Sequence, residues 1–290
     1  MPELPEVEIV KQSLEKTVKF KKIKKVLIKN RNLRFKIQNN MENLLKKQKI
    51  INVFRKSKYL IIQFLNNHYL VIHFGMSGTL HLIKNTKINQ KTNLSFYHSE
   101  KLPKKHNHIE LIFSNFKIVY NDPRRFGFLI LIDNKKDFLK YFEKIGPEPL
   151  NKDFSSDYLK KMLKLKKTCI KNFLLNQKFV SGIGNIYANE ILYYSKINPK
   201  KLCKNINSIE INNIVKYSKV VLKKAIKKGG STIRNFKNSR GSEGSFQNEF
   251  KVYNRESKPC LSFNCKENIK RISISNRSTY LCFSCQKINK

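Results

Sequence analysis

Val7, Val10, Leu14 and Val18 recur at helical spacing. They predict an amphipathic helix over residues 6–18, directly after Pro2-Glu3-Leu4-Pro5, where proline suits a first helical turn. From residue 23 to residue 132 the pattern turns strand-like. The runs 59–65 and 68–74 are joined by Asn66-Asn67 and read as a hairpin. Runs 108–114, 116–120 and 128–132 are also β-rich, and several short strands with short turns argue for a sandwich or barrel. Gly146-Pro147-Glu148-Pro149 breaks the pattern and reads as linker. Beyond it the period is helical over 158–164, 170–176, 186–194 and 209–227. Gly229-Gly230 ends the last of these, with Ser231 or Thr232 as a cap for the next element, and 237–245 is loop by composition. No internal repeat at a fixed period is present.

The 290 residues include 60 Lys+Arg and 20 Asp+Glu, a formal net charge of +40. Hydrophobic residues at 40% suffice for real cores, so this is not a disordered polycation. The length suggests two domains and a small third module. No apolar run is long enough for a membrane span, and the N-terminus lacks a signal pattern, so a non-secreted protein is expected. The charge points to a nucleic-acid partner through counterion release. An AT-rich genome, which fills surface sites with Lys, Asn and Ile, accounts for part of it. Runs such as Phe20-Lys21-Lys22-Ile23-Lys24-Lys25 read first as solvated strand faces.

Cys169 and Cys203 stand alone, whereas Cys260-x4-Cys265-x16-Cys282-x2-Cys285 is close to a four-cysteine zinc ribbon. Without an export signal the cluster reads as a structural metal site rather than disulfides.

The N-terminus carries chemistry as well as structure. A start methionine followed by proline is normally removed, leaving Pro2 as a free secondary amine. An α-amino group titrates near ~8, so more of it is neutral at pH 7 than of a lysine. Such an amine attacks a carbonyl-level carbon and gives an iminium. Glu3 can move the protons, and Glu6, one turn on, can orient the amine or relay them. The plainer reading is that Pro2 and Pro5 start the helix, with Glu3 and Glu6 at its positive end.

Further strings decide between these readings. Met1-Pro2-Glu3-Leu4-Pro5-Glu6-Val7-Glu8 is followed by Ser57-Lys58-Tyr59-Leu60 and His73-Phe74-Gly75-Met76-Ser77-Gly78. Asp122-Pro123-Arg124-Arg125-Phe126-Gly127, Gly146-Pro147-Glu148-Pro149-Leu150 and Gly182-Ile183-Gly184-Asn185-Ile186-Tyr187-Ala188 come next, then the cysteine module. In this order the chain, from residue 2 to 286, resembles the formamidopyrimidine-DNA glycosylases, bacterial enzymes that excise 8-oxoguanine.

The resemblance implies an α+β multidomain fold: an N-terminal helix plus β-sandwich, a helix–two-turn–helix domain and a zinc finger, with DNA in the cleft between domains. The expected boundaries are 1–134, a linker at 135–150, 151–255 and 256–290. It implies a bifunctional glycosylase and abasic-site lyase acting on oxidised purines in duplex DNA, with β,δ-elimination. Pro2, Glu3, Glu6, Lys58 and Arg277 are the expected catalytic set. His73, Met76, His106, Arg124, Phe126, Lys167, Lys171 and Asn185 are expected to contact DNA. Met76, Arg124 and Phe126 would fill the space left by the extruded nucleotide. Asn185 would grip a phosphate at a helix start, and Arg277 would sit at the tip of the finger. The loop at 237–245 matches the family's lid over the extruded base.

One structural Zn²⁺ on Cys260, Cys265, Cys282 and Cys285 is expected. The first knuckle holds four residues where the family usually has two, a spacing zinc still accepts. A cytoplasmic, nucleoid-associated monomer is expected. The alternatives are an endonuclease VIII-like enzyme for oxidised pyrimidines and a DNA-binding relative without catalysis. Leu4 and the Met76/Arg124/Phe126 set favour the purine branch.

Overall fold

The computed structural model describes residues 2–84, 102, 105–164, 166–231 and 244–287. The chain divides into two compact units: residues 1–143 with 228–245, and residues 144–227 with 246–290.

In the first unit, helix α1 (Leu4–Val18) starts two residues earlier than its apolar spacing predicts. The cause is local. Glu3 is the N-cap, and its side chain accepts from the Glu6 N–H while Glu6 Oε2 accepts from the Glu3 N–H at 2.9 Å. This reciprocal arrangement satisfies donors that a helix start leaves free. Leu4, Val7, Val10, Leu14 and Val18 are all buried, against strands β2 (Ile50–Lys56) and β3 (Tyr59–Phe64).

Two antiparallel four-stranded sheets form this unit's core. With β1 (Lys25–Ile28), β4 (Tyr69–His73), β5 (Thr79–Lys84), β6 (Asn107–Ile112), β7 (Phe116–Asn121) and β8 (Phe128–Ile132), the strand orders are β1-β6-β7-β5 and β2-β3-β4-β8. A short helix, α2 (Met41–Leu45), lies between β1 and β2 in sequence. The expected hairpin is β3–β4, with Tyr59 opposite His73 and Gln63 opposite Tyr69. Asn67 at the turn takes a φ of 62°, a conformation asparagine tolerates better than most residues. Leu60, Ile61, Leu70 and Val71 are fully buried, so the near-continuous apolar runs reflect strands covered on both faces.

Residues 135–150, read from the sequence as linker, begin with helix α3 (Lys135–Phe142). Asn134 caps it, accepting from the Asp137 N–H at 2.9 Å. Phe138 stacks on Tyr69 at 4.4 Å between ring centroids and Phe142 meets Tyr59 edge-on at 5.3 Å, so the helix belongs to the first unit's core.

The second unit contains α4 (Ser156–Leu163), α5 (Ile170–Leu175), α6 (Asn185–Tyr194) and α7 (Ser208–Lys227), then a hairpin of β9 (Lys270–Ile274) and β10 (Arg277–Leu281). Glu190 on α6 is fully buried and accepts the N–H groups of Lys251, Val252 and Tyr253 at 2.8–3.0 Å. Burial pushes its carboxyl pKa up, opposed by those three donors. One side chain thus anchors the segment that leads into the finger. Among the described residues, no helix is long and apolar enough to cross a membrane.

Candidate active site

In the first unit the residues around the N-terminus converge. Pro2 is half-buried, and Glu3 and Glu6 are buried at 3% and 4% exposure. Glu6 Oε1 accepts from both the backbone N–H and the hydroxyl of Ser231, at 2.9 and 3.0 Å. Ser231 follows two glycines at positive φ, Gly229 (77°) and Gly230 (81°), which bring the chain back to α1. The sequence offered Ser231 only as a helix cap; its bond to a residue 225 positions away was not readable there. The region from Thr232 and most of the loop expected at 237–245 lie outside the described residues.

Lys58 is buried at 6% exposure in the turn after β2, beside Ser57 at a φ of 57°. Its charge bears on His73, whose pKa falls to about 4 through burial first, then Lys58 and Arg34. His73 Nδ1 accepts the Gly75 N–H at 3.1 Å, which fits a neutral ring with its proton on Nε2. The ring stacks on Phe128 at 5.2 Å. His106 is exposed, with a φ of 68° and its carbonyl accepting the Asp122 N–H.

Met76 and Phe126 are 46% and 45% exposed, so neither is core. They sit on two turns that touch. A Cβ placed on Gly75 would lie 2.4 Å from the Gly127 nitrogen, and one on Gly127 would lie 1.9 Å from the Tyr120 hydroxyl. Only glycine allows that approach. The Arg124 guanidinium lies 4.7 Å from the Phe126 ring centroid. With Asn32, Leu33, Arg34, His73 and Arg125, these residues line a cavity of about 780 Å³. Arg34 and Asn32 carried no sequence signal: in a chain so rich in lysine and asparagine, one more exposed polar residue is unremarked.

The second unit places Lys167 on the surface and Lys171 in the interior. Lys171, expected to reach DNA, is fully buried. Its ammonium donates to the Ser278 carbonyl at 3.1 Å and the Thr279 hydroxyl at 2.7 Å, which corrects that expectation. Asn185, the first residue of α6, donates to the same Ser278 carbonyl at 2.9 Å, and Asn189 accepts the Tyr280 N–H. Three side chains from α5 and α6 thus hold β10. Arg277, beside Ser278, is exposed at the β9–β10 turn, where Ser275 and Asn276 take positive φ.

Cys260, Cys265, Cys282 and Cys285 bring their sulfurs within 4.8 Å of one another. Cys260 to Cys285 is 3.8 Å and Cys265 to Cys282 is 3.5 Å. A tetrahedron with ~2.3 Å metal–sulfur bonds has edges of about 3.8 Å, so the four thiols fit one ion. The longer knuckle leaves Phe263 93% exposed without spoiling this geometry.

Comparison with known proteins agrees with this arrangement. Residues 1–129 match the model of the formamidopyrimidine-DNA glycosylase N-terminal domain, and residues 145–237 match that of the formamidopyrimidine-DNA glycosylase H2TH domain. The chain is 42% identical to a formamidopyrimidine-DNA glycosylase of Rickettsia bellii and 40% identical to one of Wolbachia pipientis, each over 99% of this chain and all of the relative. Among solved structures, Lactococcus lactis Fpg bound to DNA containing an abasic site superposes with a TM-score of 0.86 at 32% identity, covering 99% of this chain and all of that one. A point mutant of the same enzyme, bound to DNA containing Fapy-dG, gives 0.87 at the same identity and coverage. With both family models, full-length relatives and the N-terminal Pro-Glu on a capped helix in agreement, the chain belongs to the formamidopyrimidine-DNA glycosylase family.

Proposed function

We propose that the protein is a DNA glycosylase that removes oxidised bases, chiefly 8-oxoguanine and formamidopyrimidines, from double-stranded DNA, and that it then cleaves the abasic strand. The observation that carries this reading is the start of α1, where Pro2 stands next to two buried carboxylates fixed by the capping box and by Ser231. Family membership and the lesion-containing DNA bound by the Lactococcus lactis relative support the substrate class.

In this reading the Pro2 nitrogen lone pair attacks C1′ of the damaged nucleoside. The glycosidic bond breaks with its electron pair going to the base, which takes up a proton. Pro2 loses its N–H proton, O4′ accepts one as the sugar opens, and an iminium results. Glu3 moves these protons, and Glu6 keeps Glu3 and the amine in place. Loss of the C2′ proton then expels the 3′ phosphate, and a second elimination expels the 5′ phosphate. Lys58, Asn185 and Arg277 bind lesion-site phosphates. Neutral His73 lines the site without adding charge. Met76, Arg124 and Phe126 enter the duplex. Filling the vacated stack offsets an extrusion cost of a few kcal/mol.

The ion on the four cysteines is zinc. It supplies no chemistry and positions Arg277. The catalytic domain extends through α3 to residue 143, past the boundary at 134 read from the sequence, the helix–two-turn–helix and finger domains follow it, and the enzyme works in the cytoplasm on the nucleoid. Excision from an 8-oxoguanine:C duplex, in competition with a duplex carrying an oxidised pyrimidine, tests the reading. Release of 8-oxoguanine with strand cleavage is expected. Preference for the pyrimidine would assign the chain to the endonuclease VIII-like branch, and binding without release would make it a non-catalytic relative.

A further inference from the structure

Asp122 is fully buried, yet it lies one residue before the exposed turn that carries Arg124 and Phe126. Part of its role is local: its carbonyl accepts the Arg125 N–H at 3.3 Å and closes the turn. The side chain does something else. Oδ1 accepts the hydroxyl of Ser77, a residue 45 positions away on the turn that carries Met76. Oδ2 accepts the Gly127 N–H at 2.8 Å and the Tyr120 hydroxyl at 3.4 Å. Ser77 Oγ in turn accepts the Arg124 N–H at 3.2 Å. One carboxylate therefore joins both ends of its own turn and, through Ser77, the neighbouring one.

The surroundings explain why the join is made here. Gly78 and Gly127 close around the Tyr120 hydroxyl, and Gly75 packs on the Phe126–Gly127 peptide. A Cβ on Gly78 would come within 2.6 Å of that oxygen, and one on Gly127 within 1.9 Å. The glycines let the two turns touch but give them no stiffness. Their tips are the exposed Met76, Arg124 and Phe126. Side chains that must enter a base stack lose binding energy if they are ordered only on contact, so a preformed support is worth having.

We infer that Asp122 is a positioning residue: it latches the Met76 turn to the Arg124–Phe126 turn so that the three side chains meet DNA as one rigid wedge. The inference rests on the proposed glycosylase reading, in which these side chains enter the duplex. Asp122 touches neither the reacting atoms nor DNA. Its effect should appear only where a stacked nucleotide has to be extruded.

The test compares Asp122→Ala, Asp122→Asn and Ser77→Ala with the parent on two substrates. The first is single-turnover excision from an 8-oxoguanine:C duplex. The second is borohydride trapping on a single-stranded abasic oligonucleotide, where no stack has to be opened. Loss of charge-assisted buried hydrogen bonds predicts that Asp122→Ala slows duplex excision by about 10- to 100-fold. Ser77→Ala should slow it less, and Asp122→Asn, which keeps one acceptor, should fall between Asp122→Ala and the parent. Trapping on the single strand should keep the parent rate in all three.

A third readout is 2-aminopurine beside the base opposite an abasic analogue. Its fluorescence rise on binding the parent, a sign of unstacking, should shrink in the variants. Equal losses on both substrates, or no loss on the duplex, would overturn the latch. If Asp122→Ala does not fold, Ser77→Ala decides alone by the same criteria. A parent inert on both substrates would refute the proposed function, while the 2-aminopurine signal would still decide the latch.

Discussion

His73 shows how one residue's surroundings set its chemistry. It is stacked on Phe128, accepts a backbone N–H on Nδ1 and lies within the field of Lys58 and Arg34, so its pKa drops to about 4. His81, bonded to Thr79 inside the sheet, is lowered to about 4 by burial alone. Both stay neutral in the folded protein where the unfolded chain, with values near ~6.5, takes up protons. The unfolded state therefore binds more protons between these limits, and stability is lost as pH falls from about 6.5 toward 4. Thermal unfolding across that window should show a falling midpoint. Replacing His81 with Asn should flatten the fall, and an unchanged slope would mean that His81 is already charged in the native state.

Lys167 and Lys171 also part company at this scale. The exposed Lys167 is proposed to meet a phosphate, so Lys167→Ala should reduce the slope of log affinity against log salt by about 0.9. Lys171→Met should instead lower the unfolding midpoint, because it strips the Ser278 carbonyl and Thr279 hydroxyl of a buried donor. Binding measured from 50 to 300 mM salt, roughly the range where counterion release dominates, separates the two. The sequence could not distinguish these lysines. Burial of Lys171 depends on a hairpin more than 100 positions along the chain.

At the scale of elements, what was legible is what the local pattern decides. Helix α1 follows from the spacing of Val7, Val10, Leu14 and Val18, and the β3–β4 hairpin from two apolar runs around Asn66-Asn67. Helix α3 was not read. Its lysine-rich sequence borders the Gly146–Pro149 breaker, and only the packing of Phe138 and Phe142 on Tyr69 and Tyr59 shows why it forms. Gly75, Gly78 and Gly127 are turn signals around Met76 and Arg124–Phe126, but the contact of the two turns leaves no local trace, because it joins distant parts of the chain.

Glu190 belongs with these unread supports: nothing in Asn189-Glu190-Ile191 announces a carboxylate that binds three consecutive backbone amides. Glu190→Gln would leave one terminal atom a donor facing donors. It should destabilise the protein by about 1.5–3 kcal/mol, the cost of losing a charged hydrogen bond in the interior. Denaturant unfolding should show this as a lower midpoint at unchanged slope. A neutral outcome would mean that the carboxyl is already protonated in the fold.

For the whole molecule, the charge of +40 set the partner class, and the cysteine spacing set the metal site. The four sulfurs lie where one tetrahedral ion would put them, so metal analysis should find one zinc per chain. Removing it with a strong chelator should release the β9–β10 hairpin from its cysteine support and abolish lesion-specific binding, while the first unit keeps its fold. Full binding after complete metal removal would refute the proposed positioning of Arg277 by the metal.

In the proposed reaction the amine of Pro2 forms the covalent bond to DNA. The most direct test is borohydride trapping of the purified protein on an 8-oxoguanine:C duplex, followed by proteolysis and mass spectrometry of the adduct. A single reduced adduct on the N-terminal peptide at Pro2 is expected, absent from protein that retains Met1. An adduct on a lysine, or none from zinc-loaded protein that binds the duplex and has lost Met1, would contradict that reaction.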